Sequence, residues 1–186
     1  MEESGVNLVV RRTALLLVAA LACGICMPTA GEARSQQAAV AGAVSGEKIQ
    51  KVGFRAMIQK QAIMYNLAGY ARNNSDGTVS VSLQGDKDRI DRTLEAIRTG
   101  SKRSSKDNKV SVASAPLDPN LKTFTVFQWT STSRNITDPY DLVFHLRPAN
   151  DEISAKKAEK VWNAIAESTL KGDDLLKFKR HLEGDD

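Results

Sequence analysis

The spacing of apolar residues changes several times along the 186-residue chain, and each change marks an element. From Phe54 onward, Phe54, Met57, Ile58, Ala62 and Tyr65 recur at helical spacing, while Arg55, Gln59 and Lys60 face elsewhere. Gly69 marks the way out of this helix. "YARN" is short and extended, "NSDG" is a turn, and "TVSVSLQG" alternates with Val79, Val81 and Leu83 on one face, which together predict a hairpin. A second helix follows, with Asp86 as N-cap, Ile90, Leu94 and Ile97 on its apolar face, and Gly100 past its end. Upstream, "SQQAAVAGAVSG" (35–46) is a small-residue entry with a weak strand around Val40 and Val44. Downstream, "KVSVASA", "TFTVFQW" and "DLVFHL" supply further strands. A third helix carries an apolar stripe of Ile153, Ala158, Val161, Trp162 and Ile165, expected to dock on the rest. No internal repeat is present.

The order strand, helix, strand, strand, helix, strand predicts an α+β fold of the ferredoxin-like, split βαβ kind (βαββαβ). In that plan an antiparallel sheet carries two helices on one face. Residues 38–134 hold this domain, and 135–186 form a C-terminal extension with its own strand and helix.

The first 33 residues read differently. Arg11 and Arg12 precede an apolar core from Thr13 to Met27, and small residues follow up to Ala33. That is the pattern of a secretory signal peptide cut after Ala33. As a helix the core would span roughly 22 Å, against the about 30 Å of a bilayer, which disfavours a permanent anchor. Export to the periplasm or secretion is therefore expected, with no membrane contact after cleavage. Both cysteines, Cys23 and Cys26, lie in this segment, so the conventionally cleaved chain would have no disulfide, zinc thiolate or thiol nucleophile, while Ala-Leu-Ala-Cys at 20–23 leaves a lipid anchor on Cys23 as the alternative. The net charge of +4 is spread over most of the length. The densest basic run, "SKRSSK" (101–106), lacks interleaved aromatics and reads as a solvated loop, which argues against nucleic-acid binding.

The chemistry lies where the first strand gives way to the first helix, in "EKIQKVGFR" (47–55). A helix beginning at Gly53 or Phe54, after a strand ending near Gln50, leaves unpaired N–H groups and the positive end of a helix dipole facing the loop. Both favour an anion. Gly53 lets the backbone approach closely, and Arg55 in the first turn can fork onto a phosphate. Such a junction is also compatible with a plain turn. His145 and His181 both fall in the extension and are assigned structural or exposed positions.

A second stretch, "GYARNNSDGTVSVSLQG" (69–85), places Asn73 at the end of the hairpin strand that neighbours the first strand in a ferredoxin-like order. Together the two stretches resemble the acylphosphatase family. Its signatures are a Gly-x-Val-Gln-Gly-Val-x-Phe-Arg loop and a Gly-aromatic-x-x-Asn hairpin ending in glycine. The resemblance runs from about Val40 to about Arg134. It implies that Arg55 binds phosphate and that Asn73 holds the attacking water. It also implies that the backbone of Gln50, Lys51, Val52, Gly53 and Phe54, with Arg55, cradles the phosphate. The implied reaction is hydrolysis of an acyl phosphate to a carboxylate and inorganic phosphate by a monomer with no cofactor, metal or covalent intermediate. Two positions depart from the signature: Lys51 and Glu47 stand where the family loop has glycines. A non-enzymatic anion- or partner-binding module on the same fold is the competing expectation.

Overall fold

The computed structural model describes residues 36–131 and 136–169; the expected leader and His181 lie outside the described residues. The chain runs β1 (Gln37–Ser45), α1 (Phe54–Tyr65), β2 (Ala68–Asn73), β3 (Val79–Asp86), α2 (Lys87–Thr99), β4 (Lys109–Ser114), β5 (Thr123–Ser131), β6 (Ile136–His145) and α3 (Ala155–Ser168). The local chemistry explains the helix boundaries. The Asp86 carboxylate accepts from the N–H groups of Asp88 and Arg89 at the start of α2, and Asn66 closes α1 in the left-handed conformation.

The strands form a six-stranded sheet in the order β4-β1-β3-β2-β5-β6. Its first four strands follow the ferredoxin-like plan, with β1 antiparallel to both β3 and β4, and β2 antiparallel to β3. β2, expected beside β1, is separated from it by β3, because its hairpin partner takes the place next to β1. The sheet as a whole is mixed. β5 joins β2 in parallel, with Gly69 beside Phe124, and β6 closes that edge antiparallel to β5. The physical reason is the connection from β4 to β5, which starts at one edge of the sheet and ends near the other. It reverses the chain once, so β5 runs opposite to β4 and along β2. Gln84 holds this connection by donating to the Asp118 carbonyl (2.7 Å) and accepting from the Asp118 N–H (2.8 Å).

The first strand is shorter than the sequence suggests. It ends at Ser45 and not near Gln50, because β3 begins only at Val79 and β4 at Lys109. Beyond Ser45 there is no partner to pair with. Residues 46–53 form a loop instead.

One core joins the sheet to all three helices and includes Phe54, Ile58, Leu83, Ile97, Phe124 and Leu142. Gln59, expected on the polar side of α1, is fully buried. Its Nε2 donates to the carbonyls of Phe124 (3.3 Å) and Leu142 (2.6 Å), which offsets part of the cost of burial, while its Oε1 has no partner among the described residues. The residues after 134 share the same core. Leu142 and Phe144 of β6 are buried, as are Ala158, Trp162 and Ala166 of α3. The docking stripe of α3 is thus centred on Trp162, with Val161 and Ile165 only half-buried. The Ile153 N–H donates to the Met64 carbonyl (3.0 Å), so α3 starts beside the last turn of α1. Glu159, farther along α3, pairs with Lys60, one turn back along α1. The two helices therefore run antiparallel.

Candidate active site

Strand direction brings the ends of β1, β2 and β5, the start of β3 and the N-terminus of α1 to one end of the sheet. The loop 46–53 is pinned there by two side chains in the core, Ile49 and Phe54. Between these anchors the backbone turns through two left-handed residues, Lys51 (φ 59°) and Gly53 (φ 75°). A Cβ at Gly53 would meet nothing within 4 Å, so glycine serves conformation there and not space. Gly53 is the N-cap of α1 and offers no side-chain acceptor, and no acidic residue occupies the first turn. The backbone N–H groups from Lys51 to Ala56 find no acceptor among the described residues. Such a run of free donors at a helix N-terminus suits an anion.

Arg55 stands in the first turn, half-buried. Its Nη1 donates to the Phe127 carbonyl and to the Gln128 carbonyl (3.1 Å). No carboxylate among the described residues pairs with it, and burial pulls its pKa below the ordinary arginine value. A desolvated guanidinium held only by neutral carbonyls gains most from an anionic ligand. The two carbonyls are presented by a bulge. The β5–β6 register shifts between Val126 and Trp129, and Gln128 takes φ 50°. The Gln128 N–H donates to Asp141 Oδ1 on β6 (2.8 Å), which fixes the bulge from the neighbouring strand. Asp141→Ala is expected to loosen Arg55 and to lower kcat/KM several-fold, by about 1 kcal/mol of lost hydrogen bonding, whereas Asp141→Asn keeps an acceptor and should largely retain activity. Steady-state kinetics of the three proteins checks this.

Asn73 closes β2, and its side-chain oxygen Oδ1 is buried with no hydrogen-bond partner among the described residues. An orphaned acceptor of this kind costs about 1–3 kcal/mol, and a turn of the amide toward the cleft that Asn73 lines would let a water donate to it. The hairpin beside it is rigid. Asn74 Nδ2 donates to the hydroxyls of Thr78 (2.8 Å) and Ser80 (2.9 Å), and Asp76 Oδ1 accepts from the Thr78 N–H (2.9 Å). Gly69, at the other end of β2, is required by close approach: a Cβ there would lie 1.9 Å from the Ser82 carbonyl oxygen. Gln50 takes a place its motif position does not suggest. Its amide donates to the carbonyls of Asn74 (2.9 Å) and Thr78 (2.8 Å), tying the loop to the hairpin, and it does not line the cleft. Phe54 contributes backbone only, since its ring is in the core.

Arg55 and Asn73 open onto one cleft of about 840 Å³, together with Lys51, Val52 and Gly53. Three further groups of lining residues have no counterpart in the sequence reading: Gln128 and Trp129 of the bulge, Lys102 and Arg103, and the face of α3. The bulge left a trace in the sequence. Apolar alternation through Phe124 and Val126 resumes at Trp129, one residue late. Lys102 and Arg103 are brought to the cleft because the Ser105 N–H donates to the Lys48 carbonyl (2.9 Å) and stitches the two loops together. "SKRSSK" is therefore more than a solvated loop: Ser104 is buried, and its basic neighbours face the cradle.

The left-handed Lys51 makes a separate test possible. Lys51→Gly removes roughly 1 kcal/mol of backbone strain but loosens the unfolded chain by a similar amount, so its thermal midpoint should stay near the parent's. Inhibition by inorganic phosphate should weaken by about fivefold at low salt, and the two proteins should converge as salt rises.

A family model described as Acylphosphatase matches residues 40–126. An acylphosphatase of Chlorobaculum tepidum is 37% identical over 78 residues, which is 42% of this chain and 84% of that protein. An acylphosphatase of Colwellia psychrerythraea is 53% identical over 51 residues, 27% of this chain and 56% of that protein. The crystal structure of acylphosphatase from Bacillus subtilis superposes with a TM-score of 0.42 at 31% identity, covering 47% of this chain and 93% of that one.

Proposed function

This chain belongs to the acylphosphatase family, and we propose that it hydrolyses an acyl phosphate to a carboxylate and inorganic phosphate. The observation that carries the reading is the meeting, on one cleft, of an uncapped helix N-terminus and Arg55, which has no carboxylate partner among the described residues, with the orphaned oxygen of Asn73. The first two suit a phosphoryl group, and the third, once turned to the cleft, suits a water beside it. The water donates one hydrogen to Asn73 Oδ1, which turns a lone pair toward phosphorus. A bond forms from that oxygen to phosphorus as the bond from phosphorus to the acyl oxygen breaks, and the carboxylate leaves with the electron pair. The carboxylate lining the cleft, Glu159, is engaged by Lys60 at 2.6 Å. The water's protons therefore end on the phosphate oxygens, giving dihydrogen phosphate from the acyl phosphate dianion. A carboxylate is a good leaving group, so positioning and charge stabilisation are enough. Arg55 and the loop amides bind the phosphoryl oxygens throughout, and bind them most tightly as charge spreads over them.

The test is direct. The protein should release acetate and phosphate from acetyl phosphate in equal amounts, with inorganic phosphate as a competitive inhibitor. Phosphate binding without turnover would contradict the reading. Export remains part of the proposal, supported by the apolar run from Thr13 to Met27 and the small residues up to Ala33. Among the described residues no helix is long and apolar enough to cross a membrane.

A further inference from the structure

The cleft is much larger than a phosphate and a two-carbon acyl group require. It continues from the cradle along one face of α1, through Gly53, Met57, Lys60 and Met64. The eleven helical steps from Gly53 to Met64 run for about 16 Å. The facing wall is α3, through Ala155, Ala158, Glu159 and Trp162, and Trp129 of the bulge stands against Trp162 edge to face at 5.8 Å. Because α3 runs antiparallel to α1, Trp162 lies nearer the cradle, and Ala155 lies at the far end beside Met64. Ala155 is exposed, and its small side chain leaves that end open.

We propose that this groove between α1 and α3 is an acyl-binding subsite for a long, unbranched apolar acyl chain, whose phosphoryl end sits in the cradle at Arg55. The inference rests on the acyl phosphate reading above and adds the substrate class. Three observations carry it. The groove is continuous with the cradle, so one molecule can occupy both. Its walls away from the cradle carry Met57, Met64, Ala155 and the edges of the largely buried Trp129, Ala158 and Trp162, with Gln61, Thr130 and Ser131 as neutral polar groups, and the two flexible methionines can adapt to an unbranched chain. The charges on these walls are Lys60 and Glu159, which neutralise each other at 2.6 Å, and the Lys60 ammonium also lies 4.5 Å from the centre of the Trp162 ring. No uncompensated cation there calls for a second carboxylate at the end of the acyl chain. α3 lies beyond the residues matched by the family model, so this wall is a feature of the present chain.

The experiment compares kcat/KM of the full protein for acetyl, octanoyl and succinyl phosphate. Each methylene that enters the groove contributes up to about 0.8 kcal/mol, so octanoyl phosphate should exceed acetyl phosphate by at least about tenfold. Ala155→Phe fills the far end, which takes an extended chain of about twelve carbons to reach, and should cut kcat/KM for dodecanoyl phosphate by about tenfold while leaving octanoyl phosphate unchanged. In the parent protein, octanoylphosphonate should change the intensity of tryptophan emission as it lies against the edges of Trp129 and Trp162, and inorganic phosphate should not, a readout that needs no variant. Equal use of acetyl and octanoyl phosphate, or a preference for succinyl phosphate, overturns the groove proposal and leaves the proposed function standing. Turnover of none of the three overturns the proposed function itself, and the groove proposal with it.

Discussion

Asn73→Ala is expected to lose about a hundredfold in kcat toward acetyl phosphate while inorganic phosphate inhibits at an unchanged concentration. Among the described residues the side chain holds no structural hydrogen bond to lose: its oxygen is buried without a partner at the end of β2. Removing it takes away one acceptor for a water, and with it the orientation of that water toward phosphorus. The cradle is untouched, because the loop 46–53 is anchored by Ile49, Phe54 and the Gln50 amide and not by Asn73. Thermal stability should not fall and can rise slightly, since an unsatisfied buried acceptor is deleted. Turnover, phosphate inhibition and a melting curve on the same preparation check all three parts. An unchanged kcat would remove Asn73 from the mechanism.

Arg55→Ala should have the larger effect, with kcat/KM lower by about a thousandfold or more and phosphate inhibition largely lost. Here the deleted group contacts the ligand in the ground state and the transition state alike, so binding and turnover suffer together. The half-buried guanidinium donates to the Phe127 and Gln128 carbonyls and meets no carboxylate among the described residues. Folding should lose about 1 kcal/mol or less, because the carbonyls freed by the change lie at an exposed bulge that water can reach. Arg55→Lys should restore little. A lysine keeps the charge but cannot hold two bulge carbonyls and a phosphoryl group in one plane. Phosphate inhibition that survives Arg55→Ala would move the phosphate site elsewhere.

The sequence carried the parts of this site that depend on local chemistry. Gly53 and Arg55 are legible at the start of α1 because a glycine before a helix leaves donors uncovered. Asn73 is legible because the turn at 74–77 fixes where β2 must end. Asp86 and Gly100 bound α2 for equally local reasons. What stayed hidden depends on contacts between distant segments. The parallel pairing of β5 with β2 is set by where the β4–β5 connection emerges, and no periodicity within β5 reports that. Lys102 and Arg103 reach the cleft through a backbone bond from Ser105 to Lys48, across two loops. Gln59 looks like a surface residue until β5 and β6 offer it carbonyls. The bulge at Gln128 is an intermediate case. The late return of Trp129 to the apolar face signals it, but only the register against β6 shows that it faces Arg55.

Attack of a positioned water on phosphorus is the centre of the mechanism, and isotope labelling reads it out. Acetyl phosphate is hydrolysed by the protein in water enriched in oxygen-18, and both products are analysed by mass spectrometry. Label in the phosphate and none in the acetate is the result expected from a phosphoryl group bound at Arg55 and a water bound at Asn73. Label in the acetate would mean attack at the carbonyl carbon and would contradict it.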